Sequence, residues 1–262
     1  VKPLLRCTDI KVAFGGLFAL DGVSFEVPEA SVLGLIGPNG SGKTTFFNAI
    51  TGIVETRSGK VEFCGKDITG LSSRHVYHHG ITRTFQRSRL CLSLSVFDNV
   101  VVGLQSKLDL GLTTAFFNRA RFRRELDANV EAVSRLLGKF SPKLPARIFD
   151  PVGGLNMIDR RRVEVCRALI AAPRLVLMDE PSAGMTHEEI HEFMDDVLQV
   201  RQGHPGMSIV IIEHQMDVVK RVAQRCVVLN YGKKVAEGTY DEVVADPWVQ
   251  RAYLGNYEHA DG

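Results

Sequence analysis

The run Gly37-Pro38-Asn39-Gly40-Ser41-Gly42-Lys43-Thr44 follows directly on the apolar stretch Val32-Leu33-Gly34-Leu35-Ile36. Glycines at both ends of such a loop let successive backbone N–H groups point inward at a phosphate chain. The helix opening after it turns its positive end toward the same anion. The chemistry is binding of a nucleoside triphosphate. Lys43 is placed to reach the β- and γ-phosphates and the Thr44 hydroxyl to ligate Mg2+, and Thr45 completes the phosphate-binding candidates. A second constellation is Arg174-Leu175-Val176-Leu177-Met178-Asp179-Glu180, an apolar strand ending in two carboxylates. Asp179 suits Mg2+, usually through a water, and Glu180 suits general-base activation of the attacking water. Asp-Glu after a strand is common by itself; its pairing with the phosphate loop, in this order, favours the catalytic reading.

These groups need a scaffold. The first thirty residues alternate apolar and polar positions, as in 10–14 and 23–27, with turn signals at Gly15-Gly16 and Asp21-Gly22, and predict short antiparallel strands. A helix is expected over 44–51, ended by Gly52, then a hairpin strand over 59–66. From about Leu108 to Leu137 the pattern becomes helical and charged, with Phe116, Phe117, Phe122, Leu126, Val130 and Val133 on one face. Helices over 160–171, 187–201 and after Gln215 then alternate with strands over 175–178 and 208–212. The fold class is α/β: a P-loop NTPase core with a mainly parallel sheet, an N-terminal antiparallel β-subdomain and a helical subdomain inserted at about 88–165 of a single domain, 1–262.

At 262 residues the chain can bury a sizeable core, and a net charge of +2 without a basic tract argues against nucleic acid as partner. The five cysteines lack a C-x-x-C pair, so neither a disulfide framework nor a zinc ribbon is suggested, and a reducing compartment fits. No apolar run reaches the roughly 20 residues that cross a bilayer, and the basic-then-apolar layout of a signal peptide is not seen.

Together the loop at 37–44, Thr84-Phe85-Gln86, the run 179–185 and His214 after Ile211-Ile212-Glu213 resemble the ATP-binding subunit of an ABC transporter, over nearly the whole chain. Arg83-Thr84-Phe85-Gln86, the Phe- and Arg-rich insert, Ala183-Gly184-Met185 and the ending Arg251-Ala252-Tyr253-Leu254-Gly255 look like the larger ATPase subunit of branched-chain amino-acid importers. The resemblance implies that Phe14 stacks on adenine, although Phe14 beside Val12 also reads as a core aromatic. It implies that Gln86 touches Mg2+ and the attacking water and that His214 contacts the γ-phosphate. It further implies membrane-spanning permease subunits, a second ATPase subunit, an indirect link to a periplasmic solute-binding protein, and a peripheral place on the cytoplasmic face of the cell membrane. The weaker readings are a regulatory subunit that hydrolyses poorly and a soluble ABC ATPase outside transport.

The family's Leu-Ser-Gly-Gly-Gln-type signature, which closes a partner's ATP site, corresponds here to Leu155-Asn156-Met157-Ile158-Asp159. Both glycines are missing, and Asp159 brings a carboxylate toward a polyphosphate. At an effective dielectric of about 20, such a like-charge pair at 6–8 Å costs about 2–3 kcal/mol unless Arg160, Arg161 or Arg162 compensates. Asn156 is expected to cap the following helix, with Asp159 at its third position. A register using Gly153-Gly154 would lengthen the connection to Asp179 by a turn. Thr186 replaces the usual acid or amide after Asp179-Glu180. The expectation is a heterodimer with one strong and one weak site.

Two further patterns compete for attention. His187-Glu188-Glu189-Ile190-His191 satisfies H-E-x-x-H, the helical zinc-peptidase motif, but an acidic first turn is what any exposed helix favours, and the zinc reading is set aside. His75, His78 and His79 read as a solvated helix face before Gly80.

Overall fold

The computed structural model describes residues 2–104 and 119–253. Along the chain come β1 (Leu5–Phe14), β2 (Leu17–Val27), β3 (Val32–Ile36), α1 (Lys43–Ile50), β4 (Ser58–Phe63), β5 (Lys66–Asp67), α2 (Ser73–His78), β6 (Ile81–Arg83), α3 (Val96–Val101) and α4 (Arg119–Phe140). There follow α5 (Met157–Leu169), β7 (Leu175–Asp179), α6 (His187–Gln202), β8 (Ser208–Ile212), α7 (Met216–Val222), β9 (Arg225–Asn230), β10 (Lys233–Gly238), α8 (Tyr240–Ala245) and α9 (Pro247–Tyr253). The described residues fall into two compact units, one of 2–81, 174–181 and 206–253, the other of 82–104, 119–173 and 182–205.

In the first unit the alternating N-terminal segments pair as an antiparallel sheet in the order β2-β1-β4-β5. The larger sheet runs β10-β9-β3-β8-β7-β6, with β9, β3, β8 and β7 parallel to one another and β10 antiparallel at the edge. Every residue of β3, β7 and β8 is buried, as continuous Val/Ile/Leu runs require in a parallel sheet covered on both faces. Phe46 and Phe47 of α1 join Leu20, Val23 and Phe25 of β2 with Leu35, Leu177, Val210 and Ile212 in one core. Parallel register sets Leu35 and Asp179 each opposite Ile212, so the carboxyl ends of β3, β7 and β8 open side by side. In an open α/β sheet those ends are where ligands bind.

The second unit is helical. The described part of the expected insert helix runs Arg119–Phe140: Phe122, Leu126 and Val130 are half-buried, whereas Val133, Leu136, Leu137 and Phe140 are buried. Phe116 and Phe117 lie outside the described residues, as do Leu254 and Gly255. The helix expected over 160–171 begins earlier, at Met157, because the Asn156 side chain accepts from the Asp159 N–H at 2.9 Å and caps it there. Gly153-Gly154 belongs instead to a separate 3-10 turn, followed by extended Leu155, which rules out the longer register. On α5, Arg162 is buried and held by Asp159 of its own helix (3.0 Å) and by Glu192 (2.6 Å) and Asp196 (2.7 Å) of α6. These hydrogen bonds raise the guanidinium above its ordinary pKa against the opposing effect of burial. Arg162→Met is therefore expected to destabilise the fold by about 2–3 kcal/mol, below the 3–5 of a fully buried broken pair because Glu192 is exposed; urea unfolding reads it.

Candidate functional site

The phosphate loop is fixed by close backbone packing. A Cβ at Gly37 would collide with the Leu229 carbonyl of β9, and one at Gly42, which precedes α1 with φ +104°, would lie 2.7 Å from the Ala19 carbonyl oxygen. Only glycine fits both positions. The Lys43 ammonium, buried, donates to the carbonyls of Gly37 (2.6 Å) and Pro38 (2.9 Å), so it lies along the loop it serves. Burial pulls its pKa below the usual lysine value, opposed by Glu180 and Asp179. Ser41 is also buried, and its hydroxyl has no hydrogen-bond partner among the described residues. Asn39 and Gly40 are exposed at the loop's tip, and Pro38 and Thr45 are half-buried.

Asp179 ends β7 fully buried, with Oδ1 3.5 Å from Thr44 Oγ1. Glu180 follows in the left-handed region, φ +47°, a conformation a non-glycine residue holds only when its surroundings impose it. Its N–H donates to the Ile212 carbonyl (3.0 Å), and its Oε1 meets Nε2 of His214 at 2.8 Å. The left-handed turn aims the carboxylate across the sheet end at the next strand. Lys43, Thr44, Asp179, Glu180 and His214, from three strand ends, thus share one edge.

Phe14 and Gln86 are the remaining site candidates. Phe14, at the end of β1, is 57% exposed, which removes the core-aromatic reading. Gln86, in the second unit, is exposed, and its carbonyl accepts from Arg161 (3.3 Å). That guanidinium, buried, also donates to the Ala183 carbonyl (3.1 Å) and to Glu164 (2.7 Å). Sequence reasoning treated Arg161 only as a counter-charge to Asp159; its buried place on α5 lets it tie the Gln86 and Ala183 loops. Asp159 is instead countered by Arg162, but three carboxylates share that one guanidinium and the cluster stays formally negative.

Residues 20–183 match the family model described as ABC transporter. The chain belongs to the ABC transporter family. It is an ATP-binding and ATP-hydrolysing subunit of that family, built on the P-loop architecture laid out above. A second model, described as branched-chain amino acid ATP-binding cassette transporter, matches residues 233–259. This ABC ATPase is 33% identical over 254 residues to the high-affinity branched-chain amino acid transport ATP-binding protein LivG of Salmonella typhimurium, spanning 97% of this chain and 98% of that protein. It is 32% identical, over 97% and 98% of the two chains, to BraF of Pseudomonas aeruginosa. The probable LivG of Methanocaldococcus jannaschii is 34% identical, over 96% and 97%. Among solved structures, the ADP conformation of MJ1267, an ATP-binding cassette of an ABC transporter, superposes with a TM-score of 0.82 at 32% identity, covering 97% of this chain and 100% of that one.

Proposed function

We propose that this ABC ATPase energises an importer of branched-chain amino acids or related small solutes, working as one ABC ATPase domain with its helical subdomain inserted at about 88–165. The observation that carries the ATPase half is the convergence of Lys43, Thr44, Asp179, Glu180 and His214 on one sheet edge. The C-terminal family match and the LivG and BraF relatives support the importer half. The orphaned Ser41 hydroxyl and the loop's inward backbone suit a triphosphate. Thr44 and Asp179 supply the hard oxygen donors Mg2+ takes, and the ion would neutralise charge on the β- and γ-phosphates.

In this reading Lys43 holds the phosphates, Glu180 accepts the proton of the attacking water, and His214 orients Glu180 and meets the γ-phosphate. Phe14 stacks on adenine; Phe14→Ala is expected to raise KM for ATP about 3- to 10-fold at unchanged kcat in steady-state ATPase assays. No described helix is long and apolar enough to cross a membrane. The ATPase acts peripherally, from the cytoplasmic face, on membrane-spanning permease subunits, and through them responds to a periplasmic solute-binding protein; no nucleic acid takes part.

A second ATPase subunit completes the site, and the two half-sites are unequal. Asn156 is spent capping α5, Met157 projects where the family has glycine, and the cluster at Asp159 is negative. This chain's own loop is the competent half, closed by the partner's signature. Reconstitution with the permease in proteoliposomes tests the transport reading. ATPase activity rising with leucine-loaded binding protein is expected; stimulation by no branched-chain amino acid would overturn it.

A further inference from the structure

The peptidase-like pattern at the start of α6 leaves one feature that ATP hydrolysis does not use. Nε2 of His187 and Nε2 of His191 lie 3.0 Å apart, with the rings edge to face at 77°. We infer that His187 and His191 form a two-imidazole chelate for a divalent transition-metal ion of the nickel–copper–zinc class, in the first turns of α6.

The separation carries the inference. With metal–nitrogen bonds of about 2.0–2.1 Å, two nitrogens 3.0 Å apart subtend about 90–95° at the ion, the angle between neighbouring ligands in tetragonal or octahedral coordination. A tetrahedral pair would stand nearer about 3.3–3.4 Å by the same bond lengths. The geometry therefore suits nickel and copper best. Both imidazoles must present a lone pair at Nε2, so the ring now donating through Nε2 carries its proton at Nδ1 instead, without net proton loss.

The helix is built to hold the two rings together. Ile190, Phe193, Met194 and Val197 bury the neighbouring stripe and fix the rotation of α6, with positions 187 and 191 one turn apart beside it, His187 exposed and His191 half-buried. Thr186 and Glu189 form a capping box that fixes the first turn. Glu189 is engaged there (2.8 Å to the Thr186 N–H) and Glu192 by Arg162, so neither acid competes for the ion. Exposed Glu188, with Glu189, offsets the positive end of the helix that would otherwise repel a cation. The rings meet without any cost of ordering the segment that carries them.

The test uses the full chain and Cu2+, read by electron paramagnetic resonance and by titration. The wild type is expected to bind one equivalent with a two-imidazole nitrogen signature. His187→Gln/His191→Gln should lose that signature and weaken binding about ten-fold or more. His78→Gln/His79→Gln should leave both unchanged. If the double variant fails to fold, His191→Gln alone decides, since it keeps a single nitrogen. The same signature and affinity after loss of both α6 histidines, or their loss on changing His78 and His79, would overturn the site. Because the readout is metal binding and not ATP turnover, its failure leaves the ATPase assignment untouched.

Discussion

Glu180→Gln is expected to cut ATP turnover about 1,000-fold while ATP still binds. General-base catalysis is worth about 100- to 10,000-fold, and an amide of the same shape keeps the side chain in place but cannot accept the proton. The geometry argues for the upper part of that range. Glu180 is held in a left-handed backbone conformation and anchored through its N–H to Ile212, with its carboxylate fixed by His214 at 2.8 Å. A side chain so constrained is preorganised for one position relative to the phosphate edge. Single-turnover hydrolysis, with nucleotide binding measured separately, checks it: loss of binding along with turnover would mean that Glu180 supports the site's structure instead of its chemistry.

Lys43→Ala should act at the opposite stage, weakening ATP binding about 100-fold, the worth of a lost charge-assisted hydrogen bond in a partly dry site. Lys43 is buried and donates to the loop's own Gly37 and Pro38 carbonyls. Those weak neutral acceptors are readily exchanged for phosphate oxygens. Burial lowers the ammonium's pKa, and the carboxylates of Glu180 and Asp179 oppose that lowering. Isothermal titration with ATP measures the loss, and an unchanged affinity would remove Lys43 from the phosphate site.

Much of this site was legible in the sequence because its parts are local. The eight-residue loop, the apolar strand before Asp179-Glu180 and the Asn156 cap each declare themselves within ten residues. The parallel core followed from helices alternating with strands, which the parallel pairing of β3, β7, β8 and β9 bears out. What stayed hidden depends on distant partners. The Glu180–His214 pair bridges 34 residues, and the Arg162 clamp joins α5 to α6 across 30 and 34. No periodicity encodes such pairings. Nor did any pattern reveal that 182–205 groups with the helical unit, since α6 has the ordinary rhythm of a crossover helix between β7 and β8. The left-handed turn at Glu180 was invisible for another reason: neither Asp nor Glu marks positive φ as glycine does.

The signature segment shows how a helix can keep its fold while changing its outward chemistry. Asn156 and Asp159 satisfy the start of α5, and Arg162 locks it to α6, so nothing in the packing suffers from the missing glycines. What changes is the face turned outward, with a half-exposed methionine and a formally negative cluster where phosphate recognition asks for backbone N–H groups and positive charge. The proposed inequality of the two half-sites rests on that. The most direct test is ATP turnover by the complex of this chain with its partner ATPase, measured with the general base replaced by glutamine first in one subunit and then in the other. Glu180→Gln in this chain is predicted to abolish nearly all hydrolysis and the partner's substitution to leave most of it; equal losses from the two would contradict a single competent half-site.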